Sequence, residues 1–203
     1  MVYIKSCKGL YKNEKTKMPA SDLVLEPVKE VIKGMDALDI DGIICATITK
    51  DYIYPSASCM LGGKIKAKNA FCYDIESDFT GFISALRLAY SFVESKRYKN
   101  VLAISSESFY ICDDKDRFND ASVAALITSE KSNIQIDGYE NVNFKDNFFD
   151  IAIGNVPFGE FKLYDERYKK YNFLIHDYFF VKTLDKVKPR RNYSIYYIKG
   201  NIG

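Results

Sequence analysis

Three short apolar runs, rich in β-branched residues, constrain this chain more than any other feature: IICATI at residues 43–48, VLAISSE at 101–107 and ASVAALIT at 121–128. A strand that is apolar at nearly every position leaves no face for water, so it belongs in a sheet covered on both sides. The segments around the first two runs have helical spacing. Ser21 can cap a helix reaching about residue 38, with Leu23, Val24, Val28, Val31, Ile32 and Met35 on one side. Pro27 falls just beyond its first turn and is expected to distort that end. Pro55 opens a second helix toward Ile65, and residues 70–74 form a further short strand. Residues 78–96 read as a long helix with Phe82, Ala85, Leu86, Ala89, Phe92 and Val93 on its apolar side. The alternation of strand and helix predicts a layered α/β domain.

Bulk properties narrow the function. With 203 residues, 47% hydrophobic and 28% charged, the chain fits one or two globular domains. The net charge of +2 is unevenly spread: residues 160–203 hold ten Lys/Arg against five Asp/Glu. Such a basic end can steer toward phosphate, as in DNA, or simply be a solvated surface. Five cysteines with no CxxC pair point to free thiols in a reducing compartment, and a single histidine excludes a multi-histidine metal site. No apolar run is long enough to span a bilayer, and the MVYIKSCKG start lacks the apolar stretch of a signal peptide, so a cytoplasmic protein is expected. Near residues 129–133 the texture changes and aromatics take over, which puts a domain boundary at about residue 132 and divides the chain into 1–132 and 133–203. In the second part FDIAIG reads as a strand ending in glycine and residues 172–187 as a helix. His176 reads as a hydrogen-bonded residue of that helix, the Tyr/Phe run around it as core, and Asp113, Asp114, Asp116 and Asp120 as a solvated acidic loop.

Within the first part, ASDL (20–23), DIDGIICATITKDYIYPSAS (39–58), NAFCYDIESDFTGF (69–82) and SKRYKNVLAISSES (95–108) occur in an order that resembles ketoacyl-acyl-carrier-protein synthase III. RFNDASVAAL (117–126) falls where that family has a glycine-rich turn. The resemblance implies a thiolase-like half-domain, of the acyltransferase type that serves fatty acid or polyketide synthesis. It also implies a nucleophilic cysteine at the start of a buried helix, where the helix dipole and free amides stabilise the thiolate that takes an acyl group from coenzyme A. The corresponding stretch here is Asp78-Phe79-Thr80-Gly81-Phe82, so the nucleophile position is Phe79 and no catalytic residue is intact. Thr80 has no nearby base to activate its hydroxyl, and Cys72 reads as a small core residue. A first strand is expected to be missing before Lys8. The family's dimerisation through this half implies a homodimer.

Residues 146–189, DNFFDIAIGNVPFGEFKLYDERYKKYNFLIHDYFFVKTLDKVKP, resemble adenine-N6 DNA methyltransferases of the helicase-linked, mobile-element type. That implies a fragment of a Rossmann-like methyltransferase. The base-binding motif would be Asn155-Val156-Pro157-Phe158. In it the Asn155 side-chain oxygen and the Val156 carbonyl accept the two N–H groups of a flipped adenine, and Phe158 stacks on the ring. Val156 stands where the family has proline. No glycine-rich loop for S-adenosylmethionine precedes Asp150. After Pro189 the text departs from the family in a way that a shifted reading frame accounts for. Together these readings describe a gene fusion or truncated chain. Acyl-coenzyme A and S-adenosylmethionine are implied by the two families, and neither is expected to be bound. Because each half lacks covering strands, exposed sheet edges are expected.

Overall fold

Side-chain alternation along the central strands sets the architecture of the first part. The computed structural model describes residues 1–13, 16–109, 119–136, 145–149, 152 and 162–189, and of Phe79 the backbone alone. It divides the chain into two compact units, Met1–Glu140 and Asn141–Gly203. The first contains β1 (Val2–Tyr11), α1 (Ala20–Leu23), α2 (Leu25–Val31), β2 (Gly42–Ala46), α3 (Ala57–Ile65), β3 (Phe71–Ile75), α4 (Gly81–Glu94), β4 (Asn100–Glu107), β5 (Ala121–Thr128) and β6 (Ile134–Ile136). These strands form one sheet in the order β3-β2-β4-β5-β1-β6. β3 and β4 flank β2 in parallel, while β5 runs antiparallel to both β4 and β1.

Ile43 and Cys45 of β2 point to one face with Leu102, Ile104, Ala124 and Leu126, under Val24, α2 and α3. Ile44 and Ala46 point to the other with Val101, Ala103, Ala125 and Ile127, under α4. Period-2 alternation thus supplies apolar groups to both faces, and the result is a helix–sheet–helix sandwich. Fully burying each such Leu or Ile stabilises the fold by about 1.5–3 kcal/mol.

Several expectations are corrected. The strand thought missing before Lys8 is present: β1 spans that position and pairs with β5 from Tyr3↔Thr128 to Tyr11↔Ala121. The helix expected over residues 21–38 is two short helices that break at Val24. Pro27 has no N–H to donate to the Leu23 carbonyl, and that oxygen instead accepts the Ser122 hydroxyl at 3.1 Å. Ser21 does not cap the helix; its N–H donates to Asp51 and its hydroxyl accepts from Lys64 Nζ at 2.6 Å. Beyond residue 132, β6 pairs with β1 through Val2↔Ile136.

In the second unit α5 (Ile175–Lys186) is the main element, and Phe149 bridges Val187 in parallel across it. Its first turn carries Asp177 and its last turn Lys186, each favourable toward the helix dipole. Arg167 pairs with Asp146 at 2.7 Å and Asp185 at 2.9 Å, and Lys186 also reaches Asp146 at 2.9 Å. These pairs tie the segment before α5 to its C-terminal turn. Among the described residues no helix is long and apolar enough to cross a membrane.

Candidate functional site

In an open α/β sheet ligands bind outside the carboxyl ends of the parallel strands. Here those ends are Ala46, Ile75 and Glu107. Beyond Ile75 the chain enters a 3₁₀ turn at Asp78–Thr80 that leads directly into α4. The start of α4 is pressed against β2: a β-carbon on Gly81 would lie 3.0 Å from that of Ala46, so glycine permits the approach. Asp78 enters the turn with φ of +35°, a left-handed conformation that costs a non-glycine residue about 1–3 kcal/mol. Position 79 therefore occupies a strained strand-to-helix turn.

The groups around this turn are already committed. The Thr80 hydroxyl donates to the Ser77 carbonyl at 2.9 Å and lies 2.8 Å from the Ser77 hydroxyl, which leaves no base beside it among the described residues. Across the strand ends, the Glu107 carboxylate accepts from the N–H groups of Ile48 and Thr49 and from the hydroxyls of Thr47 and Thr49, the shortest at 2.8 Å. Glu107 thus fixes the turn that ends β2. Asp74 accepts from Ala57 N–H at 2.8 Å and Ser58 N–H at 2.9 Å, with Ser56 capping Cys59, so it anchors the start of α3. Asp120 is not part of a solvated loop. It is fully buried and accepts from Thr16 N–H and hydroxyl, both at 2.7 Å, and from Phe109 N–H at 2.9 Å. The roles of Glu107, Asp74 and Asp120 are not readable from local sequence, because their partners lie 11 to 104 residues away.

Burial pushes the Glu107 carboxyl above its ordinary 4.5, outweighing the hydrogen bonds from Thr49, Ile48 and Thr47 that favour its charged form. A folded-state value above the unfolded one means that the contribution of this proton is fully present below pH 4.5 and is lost as pH rises through the folded value. Glu107→Gln, which cannot ionise, is accordingly expected to gain stability relative to the native chain as pH rises from 4.5 through that window. Urea midpoints of the two chains across a pH series check the sign.

The thiols sit apart from position 79 in chemistry. Burial, then the nearby Asp74 and Glu107 charges, push the Cys45 thiol far up. Cys72 packs against the core, as expected, and burial followed by its interaction with Cys59 pushes it up to about 12. Among the described residues no cluster of three or more His, Cys, Asp or Glu could hold a metal.

In the second unit, Asn155, Val156, Pro157 and Phe158 lie outside the described residues, as does the tail from residue 190. His176 is on α5, but its Nδ1 is buried without a hydrogen-bond partner among the described residues, contrary to expectation. The aromatic run is divided. Tyr168 and Tyr178 are buried and meet edge to face at 5.7 Å, whereas Tyr164 and Tyr171 are exposed. Tyr164, Tyr168 and Tyr178 border, with Lys162, Lys169 and Phe173, a shallow cleft of about 210 Å³.

Residues 73–141 match the family model for 3-oxoacyl-[acyl-carrier-protein] synthase III. The chain is 38% identical over 133 residues to a beta-ketoacyl-[acyl-carrier-protein] synthase III of Clostridium perfringens, covering 62% of this chain and 40% of that protein. It is 40% identical over 115 residues to one of Fusobacterium nucleatum, covering 53% and 35%. The chain thus spans well under half the length of these relatives. Among solved structures, the 3-oxoacyl-[acyl-carrier-protein] synthase III of Aquifex aeolicus superposes with a TM-score of 0.55 at 25% identity, over 64% of this chain and 52% of the other. The Thermus thermophilus synthase III gives 0.57 at 21%, over 64% and 52%. The first unit therefore has a thiolase-like fold and resembles the ketoacyl synthase III acyltransferases.

Proposed function

We propose that the first unit is a ketoacyl synthase III-like acyltransferase domain that lacks the thiol step. The observation that carries this reading is the residue at position 79. It lies in the strained turn that opens α4, where the resembled family places its cysteine, and it is phenylalanine. A benzyl side chain offers no lone pair to an acyl thioester. Replacement by a neighbour has little support: the Thr80 hydroxyl is engaged by Ser77, and Cys45 and Cys72 hold their protons at neutral pH. On this reading the domain keeps a fold adapted to acyl-coenzyme A and performs no transfer. A homodimer belongs to the same proposal, through the β3 edge of the sheet, where Tyr73 is half exposed.

The second unit carries a second reading, a fragment of a DNA adenine-N6 methyltransferase that contacts a flipped adenine through Asn155, Val156, Pro157 and Phe158. What favours it is the parallel bridge Phe149↔Val187 on either side of α5. Parallel neighbours require a crossover, and a helix is the usual one. One assay addresses both readings. The purified chain is incubated with acetyl-coenzyme A and separately with labelled S-adenosylmethionine. Neither coenzyme A release above the uncatalysed rate nor retained label is expected. Steady coenzyme A release would overturn the first reading, and retained label would give the second unit a methyl-donor site.

A further inference from the structure

We propose that Cys59 and Cys72 are a reversible dithiol–disulfide pair that staples α3 to the edge strand β3. The register between these elements is fixed by Asp74, whose carboxylate holds the first turn of α3 through Ala57 and Ser58. Alternation on β3 puts Cys72 on the same face as Asp74, toward α3. Two strand residues advance about 6.6 Å, a distance α3 covers in roughly four residues, which, counted from Ala57 and Ser58, brings Cys72 beneath Leu61 and Gly62. A β-carbon on Gly62 would lie 3.6 Å from Cys72 Sγ. Gly62 thus leaves a gap in the helix wall that the Cys72 sulfur fills, and Cys59 stands one helical turn away at the i−3 position, on the adjoining surface. After burial, the nearness of Cys59 is the next cause that holds the proton on Cys72. Cys59 is exposed and Cys72 half-buried, so reagents reach the first and the second is held back to resolve it.

The oxidant is a low-molecular-weight disulfide such as oxidised glutathione. The Cys59 sulfur, after losing its proton to solvent, attacks one sulfur of that disulfide. The reagent S–S bond breaks and one glutathione leaves as the thiol. The Cys72 sulfur then attacks Cys59 Sγ in the mixed disulfide, its proton passing to the second departing glutathione; because Cys72 holds its proton firmly, this intramolecular step is the slow one and quickens as pH rises. The protein is oxidised by two electrons and loses two hydrogens, and the reagent is reduced to two thiols. The product ties β3 to the helix that follows the exposed 51–55 loop, and is independent of any acyl-transfer chemistry.

The test is treatment of the full chain with oxidised glutathione, followed by intact mass and non-reducing peptide mapping. The native chain is expected to lose two hydrogens and to yield a Cys59–Cys72 linked peptide that dithiothreitol separates. Cys72→Ser is expected to stop at a glutathione adduct on Cys59, and Cys59→Ser to leave Cys72 unmodified. A native chain that retains the Cys59 adduct, links Cys59 to a different cysteine, or leaves both thiols alkylatable would overturn the proposal.

Discussion

A Gly42→Val chain is expected to lose cooperative folding of the first unit. Gly42 pairs directly with Phe71 in the parallel β2–β3 register, and a β-carbon at position 42 would lie far inside van der Waals contact of Phe71 Cζ. That ring cannot step aside freely. Its centroid is 4.6 Å from Phe92 and 4.8 Å from Tyr98, with Tyr73 at 5.5 Å, so expelling it opens the whole cluster. The loss is comparable to deleting a buried phenylalanine, on the order of 3–5 kcal/mol. Against a total stability of about 5–15 kcal/mol for an ordinary domain, this is enough to populate unfolded chains. Gly42→Ala should act in the same direction, since the first carbon already collides. Phe71→Leu in the Gly42→Ala background should recover part of the loss. Urea unfolding followed by far- and near-UV circular dichroism measures both, and an unchanged midpoint in Gly42→Ala would contradict the packing described.

The second large effect is expected at Asp120. Its carboxylate is completely buried and is the acceptor for three donors, two on Thr16 and one on Phe109. Asp120→Ala leaves those donors without a partner in a region that water does not reach, at about 1–3 kcal/mol per orphaned group, discounted where relaxation lets Thr16 reach solvent. A net loss of about 3 kcal/mol follows. Asp120→Asn should recover part of it, because its amide oxygen still accepts while its NH₂ group faces a donor. The same melts separate the two variants. Equal stability of Asp120→Ala and the native chain would mean that the Thr16 segment is not anchored there.

Much of the sheet was legible in the sequence, for a definite reason. Residues 43–48, 101–107 and 121–128 are apolar on both alternating faces, and only a strand covered from both sides uses such text. β1 escaped notice because VYIKSCKGLY mixes lysines with apolar residues and is buried mainly at its start, so no clean alternation marks it. The break at Val24 was half visible. Pro27 signals a distortion, but its position is completed by Ser122, about a hundred residues away. Distance in the chain also hid Glu107 and Asp120, whose partners lie 58 to 60 and 11 to 104 residues off. Position 79 was legible at the level of residue type, since phenylalanine is no nucleophile in any fold. What the structure adds is its setting: a left-handed Asp78, a 3₁₀ turn, and a helix start held against Ala46. The base-binding text at residues 155–158 lies outside the described residues, so its reading rests on the sequence resemblance and on the Phe149↔Val187 bridge.

On the proposed reading, in which Phe79 stands at the nucleophile position, the first unit is inert toward thioesters, and intact-mass spectrometry tests this most directly. After incubation with acetyl-coenzyme A the chain is expected to keep its original mass, with every cysteine alkylatable once the chain is denatured. A stable acetyl adduct on any residue of the first unit would contradict the account.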